Sequence, residues 1–207
     1  MGQEIITGNV YDKYNTVNPL YRFLMERFME NLKGYIAQTG SKKLSVLEVG
    51  CGEGHLAHEI LNTFHDISYT GIDITPEIVQ MATTANPGGH FQTGSAYRLT
   101  EFYSSRYDVV IMSEVLEHLE YPEKALEELV KIDANAYVFS VPKEPVWRML
   151  NMLRMQYLKN FGNTPGHLQH WTKGSFRKMI EKYFTITELK VVFPWLMARC
   201  TRKHSES

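Results

Sequence analysis

The stretch "LSVLEVGCGEGHLA", Leu44 to Ala57, decides the reading of the fold. The apolar segment Leu44–Val49 predicts a strand, and the spacing after it predicts a helix from about Gly54 to Phe64. Between them Gly50, Gly52 and Gly54 form a G-x-G-x-G run. Glycines there allow a tight turn and let a ligand approach the backbone closely. The dinucleotide fingerprint is G-x-G-x-x-G, with its third glycine one residue later. An acidic residue, Glu48, also stands just before the turn. A carboxylate does nothing for a phosphate and attracts a cation, so the residues point to a positively charged cofactor. Cys51 reads as a small residue filling the turn.

Outward from this stretch, strands and helices alternate. Leu20, Phe23, Leu24, Phe28, Leu32 and Ile36 predict an amphipathic helix before it. After it come strand Ile67–Ile72, helix Pro76–Ala85, a break at Asn86–Gly89 and a short strand His90–Thr93. Strand Tyr107–Met112, helix Pro122–Ile132 and strand Ala136–Val141 follow. A long helix from about Val146 to Phe161, a helix Lys173–Tyr183 and strands Thr185–Val192 and Trp195–Arg202 complete the series. Such alternation calls for a parallel sheet covered on both faces. The last two strands have no helix between them, so one runs antiparallel. The expected fold is a doubly wound, mostly parallel, Rossmann-like seven-stranded α/β sheet in a single domain over 1–207. Residues 1–40 form an N-terminal helical segment and 142–172 an inserted lid.

Composition bounds the partners. The 207 residues carry 22 Lys+Arg against 23 Asp+Glu, a net charge of −1. This balance speaks against an extensive nucleic-acid surface. The two cysteines do not make a disulfide framework. "MGQEIITGNVYDKYN" lacks a basic region followed by an apolar stretch, and no apolar run reaches membrane-spanning length. A cytoplasmic protein is expected, and its oligomeric state is not legible.

"VLEVGCGEG" resembles the first motif of the class I S-adenosylmethionine (SAM) methyltransferases. The resemblance implies that Gly50–Gly54, with Glu48 and Cys51, lies against the methionine part of SAM. Asp73 in "YTGIDIT" matches the acidic residue that accepts the ribose hydroxyls, and Ile74 would pack beside adenine. Taken alone, Asp73 equally suits a cap for the helix near Pro76. "GSAYRL" occupies the third motif's place, where Ser95 replaces a frequent Asp and the Ala96 backbone is the alternative contact. "YDVVIMSEVLEHL" matches the fourth motif and places Ser113 and Glu114 at the mouth of the cofactor pocket. In related enzymes an N-terminal aromatic, here Tyr14, folds over SAM.

In "SEVLEH", Glu114, Glu117 and His118 fall at i, i+3 and i+4, one face if the segment is helical. Two carboxylates and an imidazole suit a divalent cation, and "PGHLQHW" offers His167 or His170 as a further ligand. The segment resembles ubiquinone-biosynthesis O-methyltransferases. Its E-x-x-E-H spacing is also similar to that of small-RNA 3′-terminal 2′-O-methyltransferases. Both resemblances imply a divalent metal beside vicinal hydroxyls, with Glu114, Glu117, His118 and His167 as ligands. The alternative is that His118, His167 or His170 works as general base, or that the cluster merely lines the pocket.

The functional expectation is methyl transfer from SAM to a hydroxyl of a small-molecule acceptor. Two readings stand beside it: an RNA 3′-terminal 2′-O-methyltransferase, and a non-catalytic subunit binding a partner through the Met-rich helix after Val146. That helix also carries Arg148, Arg154 and Lys159, which would suit peripheral contact with an anionic membrane.

Overall fold

The architecture comes from a computed structural model that describes residues 19–102, 104–146 and 166–203. The chain runs α1 (Pro19–Ala37), β1 (Leu44–Val49), α2 (His55–Thr63), β2 (Ile67–Asp73), α3 (Pro76–Ala85) and β3 (His90–Thr93). It continues through β4 (Arg106–Ser113), a 3-10 turn (Leu116–His118), α4 (Pro122–Leu129) and β5 (Asp133–Pro142). It closes with α5 (Lys173–Ile180), β6 (Phe184–Val192) and β7 (Trp195–Arg202). The seven strands form one sheet in the order β3-β2-β1-β4-β5-β7-β6. Every pairing is parallel except those of β7, which runs antiparallel to β5 and β6. The expected sheet, with its antiparallel final strand, is therefore present.

Side chains alternate between two cores. Leu44, Val46, Val109, Ile111 and Val138 meet α1, α2 and α3 on one face. Leu47, Val49, Val110, Met112 and Phe139 meet α4 and α5 on the other. Parallel strands buried on both faces explain why "YDVVIM" is apolar almost throughout. The inward face of α1 is Tyr21, Leu24, Met25, Phe28, Leu32, Tyr35 and Ile36. The sequence pattern had included Leu20 and Phe23, but these are 61% and 52% exposed. Packing selected the neighbouring Tyr and Met, turning the buried stripe by about one residue.

The crossover from β1 outward to β2 and the one toward β4 leave in opposite directions, so the sheet reverses order at β1. In open α/β sheets ligands bind outside the carboxyl ends of the strands at this point. Gly50–Gly54 and residues 113–118 leave those ends side by side. No described helix is long and apolar enough to cross a membrane. Tyr14 and the predicted lid helix after Val146 lie outside the described residues.

Candidate active site

The glycine loop is tied to β2. Gly50 N and Cys51 N both donate to Ile72 O, at 2.8 and 2.9 Å. Gly50, Gly52 and Gly54 take φ of 81°, 53° and 82°, the left-handed region that side chains disfavour. Asp73 holds the loop from the end of β2: its Oδ2 accepts from Gly52 N at 3.0 Å and its Oδ1 from Thr75 N at 3.2 Å. Asn86, 3% exposed, donates from Nδ2 to Gly54 O (3.0 Å) and to Ala82 O (3.2 Å). In the sequence Asn86 looked only like a chain break; here it ties the loop to α3.

Glu48 lies beneath the loop, 1% exposed, and accepts from the Tyr69 hydroxyl. Burial raises its pKa to about 7, the Tyr69 hydrogen bond opposes that shift, and the nearby Asp73 charge adds to it. Burial foremost, then the Glu48 and Asp73 charges, push the Cys51 thiol well above its ordinary range. Cys51 is therefore no ready nucleophile. Ile74 is 56% exposed just after β2. Ser95 Oγ accepts from Tyr97 N (3.2 Å), and Ala96 packs against the α4-side core. Two bonds fasten the Ser95–Leu99 loop to α4 and its lead-in: Leu99 N to Glu128 Oε2 (3.1 Å) and Tyr121 N to Tyr97 Oη (3.2 Å).

At the end of β4, Ser113 Oγ pairs with Ser140 Oγ at 2.7 Å. The structure corrects the grouping of the next residues. Glu114 has φ 57°, and a 3-10 turn rather than an α-helix spans Leu116–His118, so i, i+3 and i+4 do not share one face. Glu114 Oε2 instead accepts from Trp195 Nε1 at 2.8 Å. Among the described residues the ligand-type atoms of Glu117, His118 and His167 lie within 4.8 Å of one another, without Glu114. Glu117 is 0% and His167 8% exposed, and the two imidazoles meet edge-on at 4.9 Å.

Residues 166–171 strap this cluster down. Leu168 N and Gln169 N both donate to Glu117 O, and Gln169 Nε2 donates to Leu119 O. His118 Nδ1 is 3.0 Å from Gly166 O, a carbonyl that can only accept. The proton therefore sits on Nδ1, and the basic lone pair on Nε2. His170 falls outside the cluster: its Nδ1 is 3.6 Å from Glu144 Oε1, at the end of β5. Neither Glu144 nor Trp195 was legible as a site residue. A buried Trp opening a strand was the one available signal.

A cavity of about 630 Å³ lies between α1 and the start of α2. It touches the glycine loop through Glu53 and Gly54 and includes none of Asp73, Ile74, Ser95, Ala96 or Ser113. Much of its charged lining is paired internally, as Lys33–Glu59 at 2.8 Å and His55–Glu53 at 3.0 Å.

A family model described as a methyltransferase domain matches residues 21–188. The chain belongs to this methyltransferase family. It is a class I SAM-dependent methyltransferase domain. A demethylmenaquinone methyltransferase of Leptospira interrogans is 30% identical over 132 residues, covering 60% of this chain and 53% of that protein. The chain thus spans about half the length of that relative. A ubiquinone biosynthesis O-methyltransferase of Pectobacterium carotovorum is 25% identical over 202 residues, 88% of this chain and 80% of that one. In fold, the methyltransferase domain superposes on magnesium protoporphyrin IX methyltransferase from Synechocystis, solved with bound S-adenosylhomocysteine (SAH). The TM-score is 0.68 at 19% identity, over 91% of this chain and 90% of that one.

Proposed function

We propose that this domain methylates a hydroxyl of a small-molecule acceptor that carries a second oxygen beside it, a catechol-like ring being the model. The observation that carries the reading is the Glu117–His118–His167 cluster, set beside the strand ends where the family holds SAM. Two imidazoles and one carboxylate are a donor set for a divalent metal with open positions. Two adjacent oxygens of an acceptor suit those positions. A bound divalent metal would supply a lowered hydroxyl pKa, and SAM an electrophilic methyl carbon. The chain's own residues position the reactants. Asp73 at the end of β2 holds one end of the cofactor, the 166–171 strap fixes the imidazoles, and His118 Nε2 presents its lone pair to the cluster. As the acceptor oxygen bonds to the methyl carbon, the C–S electron pair goes to sulfur and the hydroxyl proton to base. Orientation of this kind is the largest service a protein can offer such a displacement. The near-neutral charge and the oxygen-methylating relatives support a small acceptor over RNA.

The test is methyl transfer from radiolabelled SAM to catechols, with nucleosides, an RNA 3′ end and amines as competing acceptors. Catechol labelling that falls at least tenfold in chelator, and in His118→Ala, is the expected result. Labelling confined to RNA or amines overturns the acceptor class, and full activity in chelator overturns the metal.

A further inference from the structure

We propose that Gln169 is the positioning residue of the Glu117–His118–His167 cluster. It holds the segment that brings His167 in fixed register against the turn that carries Glu117 and His118. The inference rests on the metal reading of that cluster and goes beyond it, because it assigns the cluster's preorganisation to a side chain outside it. A cation gains most from donors that already stand in place, since ordering them on binding costs affinity.

The donors come from two segments far apart in sequence. Glu117 and His118 belong to the 3-10 turn Leu116–His118, and their ligand-type atoms lie within 4.8 Å of that of His167. A 3-10 turn has poorer bond geometry than an α-helix. Inside this one His118 N donates to Val115 O at 2.9 Å, and Leu119 N reaches Leu116 O at 3.3 Å. The chain then leaves in extended form at Leu119, with φ −83° and ψ 133°. Such a turn does not by itself dictate where its two donors stand relative to His167.

Gln169 supplies that relation with two bonds. Its N donates to Glu117 O at 3.0 Å and its Nε2 to Leu119 O at 3.2 Å, so one residue grips the chain on both sides of His118. Beside it, Leu168 N donates to Glu117 O at 2.8 Å. On the other side of His167, Gly166 O accepts from His118 Nδ1 at 3.0 Å. Each histidine is thus flanked along its own chain by residues bonded to the other segment. The far end of the strap is fixed without Gln169: Glu144 N donates to Trp171 O at 2.9 Å, and Thr172 and Ser175 cap the start of α5. The Nε2 bond comes from a side chain, so a substitution removes it and leaves the backbone donors of the strap in place. Losing it loosens the seam between strap and turn, where the three donors meet.

Titration of the full chain with cobalt(II) tests this, because the ion's visible absorption reports the geometry of its donors as well as its binding. Wild type should bind the ion. Gln169→Met keeps the length of the side chain and loses the donor. It should bind cobalt(II) roughly tenfold more weakly, the effect expected when a residue that orients ligands is removed, and its absorption band at saturation should differ from that of wild type. Gln169→Ala should behave alike, each variant being checked for a native melt. An affinity or a band that stays as in wild type overturns the inference. Failure of both variants to fold does so too, since Gln169 would then serve the fold as a whole. If wild type binds no cobalt(II), the metal reading has failed and the inference falls with it.

Discussion

At the scale of single residues, the site depends on which carboxylates are charged and which are enclosed. Glu48 has a raised pKa, so its neutral form is the one the fold prefers. Below its unfolded value, near 4.5, both states hold the proton and the preference costs nothing. Between there and about 7 the unfolded chain releases a proton that the folded chain keeps. Stability should therefore fall as pH rises through this window, by an amount on the order of 3 kcal/mol. Urea denaturation from pH 4.5 to 8 should show that slope in wild type and a flatter one in Glu48→Gln, whose amide still accepts from Tyr69. Equal slopes would mean that Glu48 ionises freely. The sequence reading set Glu48 beside the loop as a carboxylate that attracts a cationic cofactor. It could not show that the carboxylate is enclosed, since that depends on Tyr69 arriving from β2.

At the scale of elements, the glycine loop is held from three sides: β2 through Ile72 O, the end of β2 through Asp73, and the end of α3 through Asn86. Asn86→Ala removes two side-chain bonds from a buried position, while the Gly54 and Ala82 carbonyls keep the backbone amides of His58 and of residue 86. A loss of about 1–3 kcal/mol of stability is expected, with SAM affinity falling alongside because the loop is loosened. Thermal melts with and without SAM would measure both, and an unchanged melt would assign Asn86 no such part. The elements were largely legible because parallel strands buried on both faces leave long apolar runs. Leu44–Val49, His90–Thr93 and Trp195–Arg202 fall where the pattern put them. The segment after β4 was not legible. Its E-x-x-E-H spacing suits an α-helix, but a left-handed residue and a 3-10 turn are tertiary choices, made by Ser140, Val115 and Trp195. Glu144, too, meets His170 only because the strap returns to the end of β5.

At the scale of the whole molecule, a net charge of −1 sets the long-range behaviour. A small neutral acceptor should show a KM that changes less than about twofold between 50 and 200 mM salt. An RNA acceptor gripped by several phosphates would lose roughly a thousandfold in affinity over that range. A steep salt dependence in the methyl-transfer assay would thus point back to nucleic acid.

The sheet order also has a consequence for how the molecule is made. β7 follows every other strand in the chain, yet it occupies an interior place between β5 and β6. A nascent chain that has reached Val192 has all its glycines, Asp73 and the histidine cluster, but β5 still presents a bare edge and β6 has no neighbour. The next strand closes that gap, and its first residue is Trp195, which reaches across to Glu114. Sheet closure and the clasp on Glu114 thus arrive together, after the other described strands have been made. Until then an open strand edge invites pairing with other chains, so the interval before β7 emerges is when this domain most needs shelter.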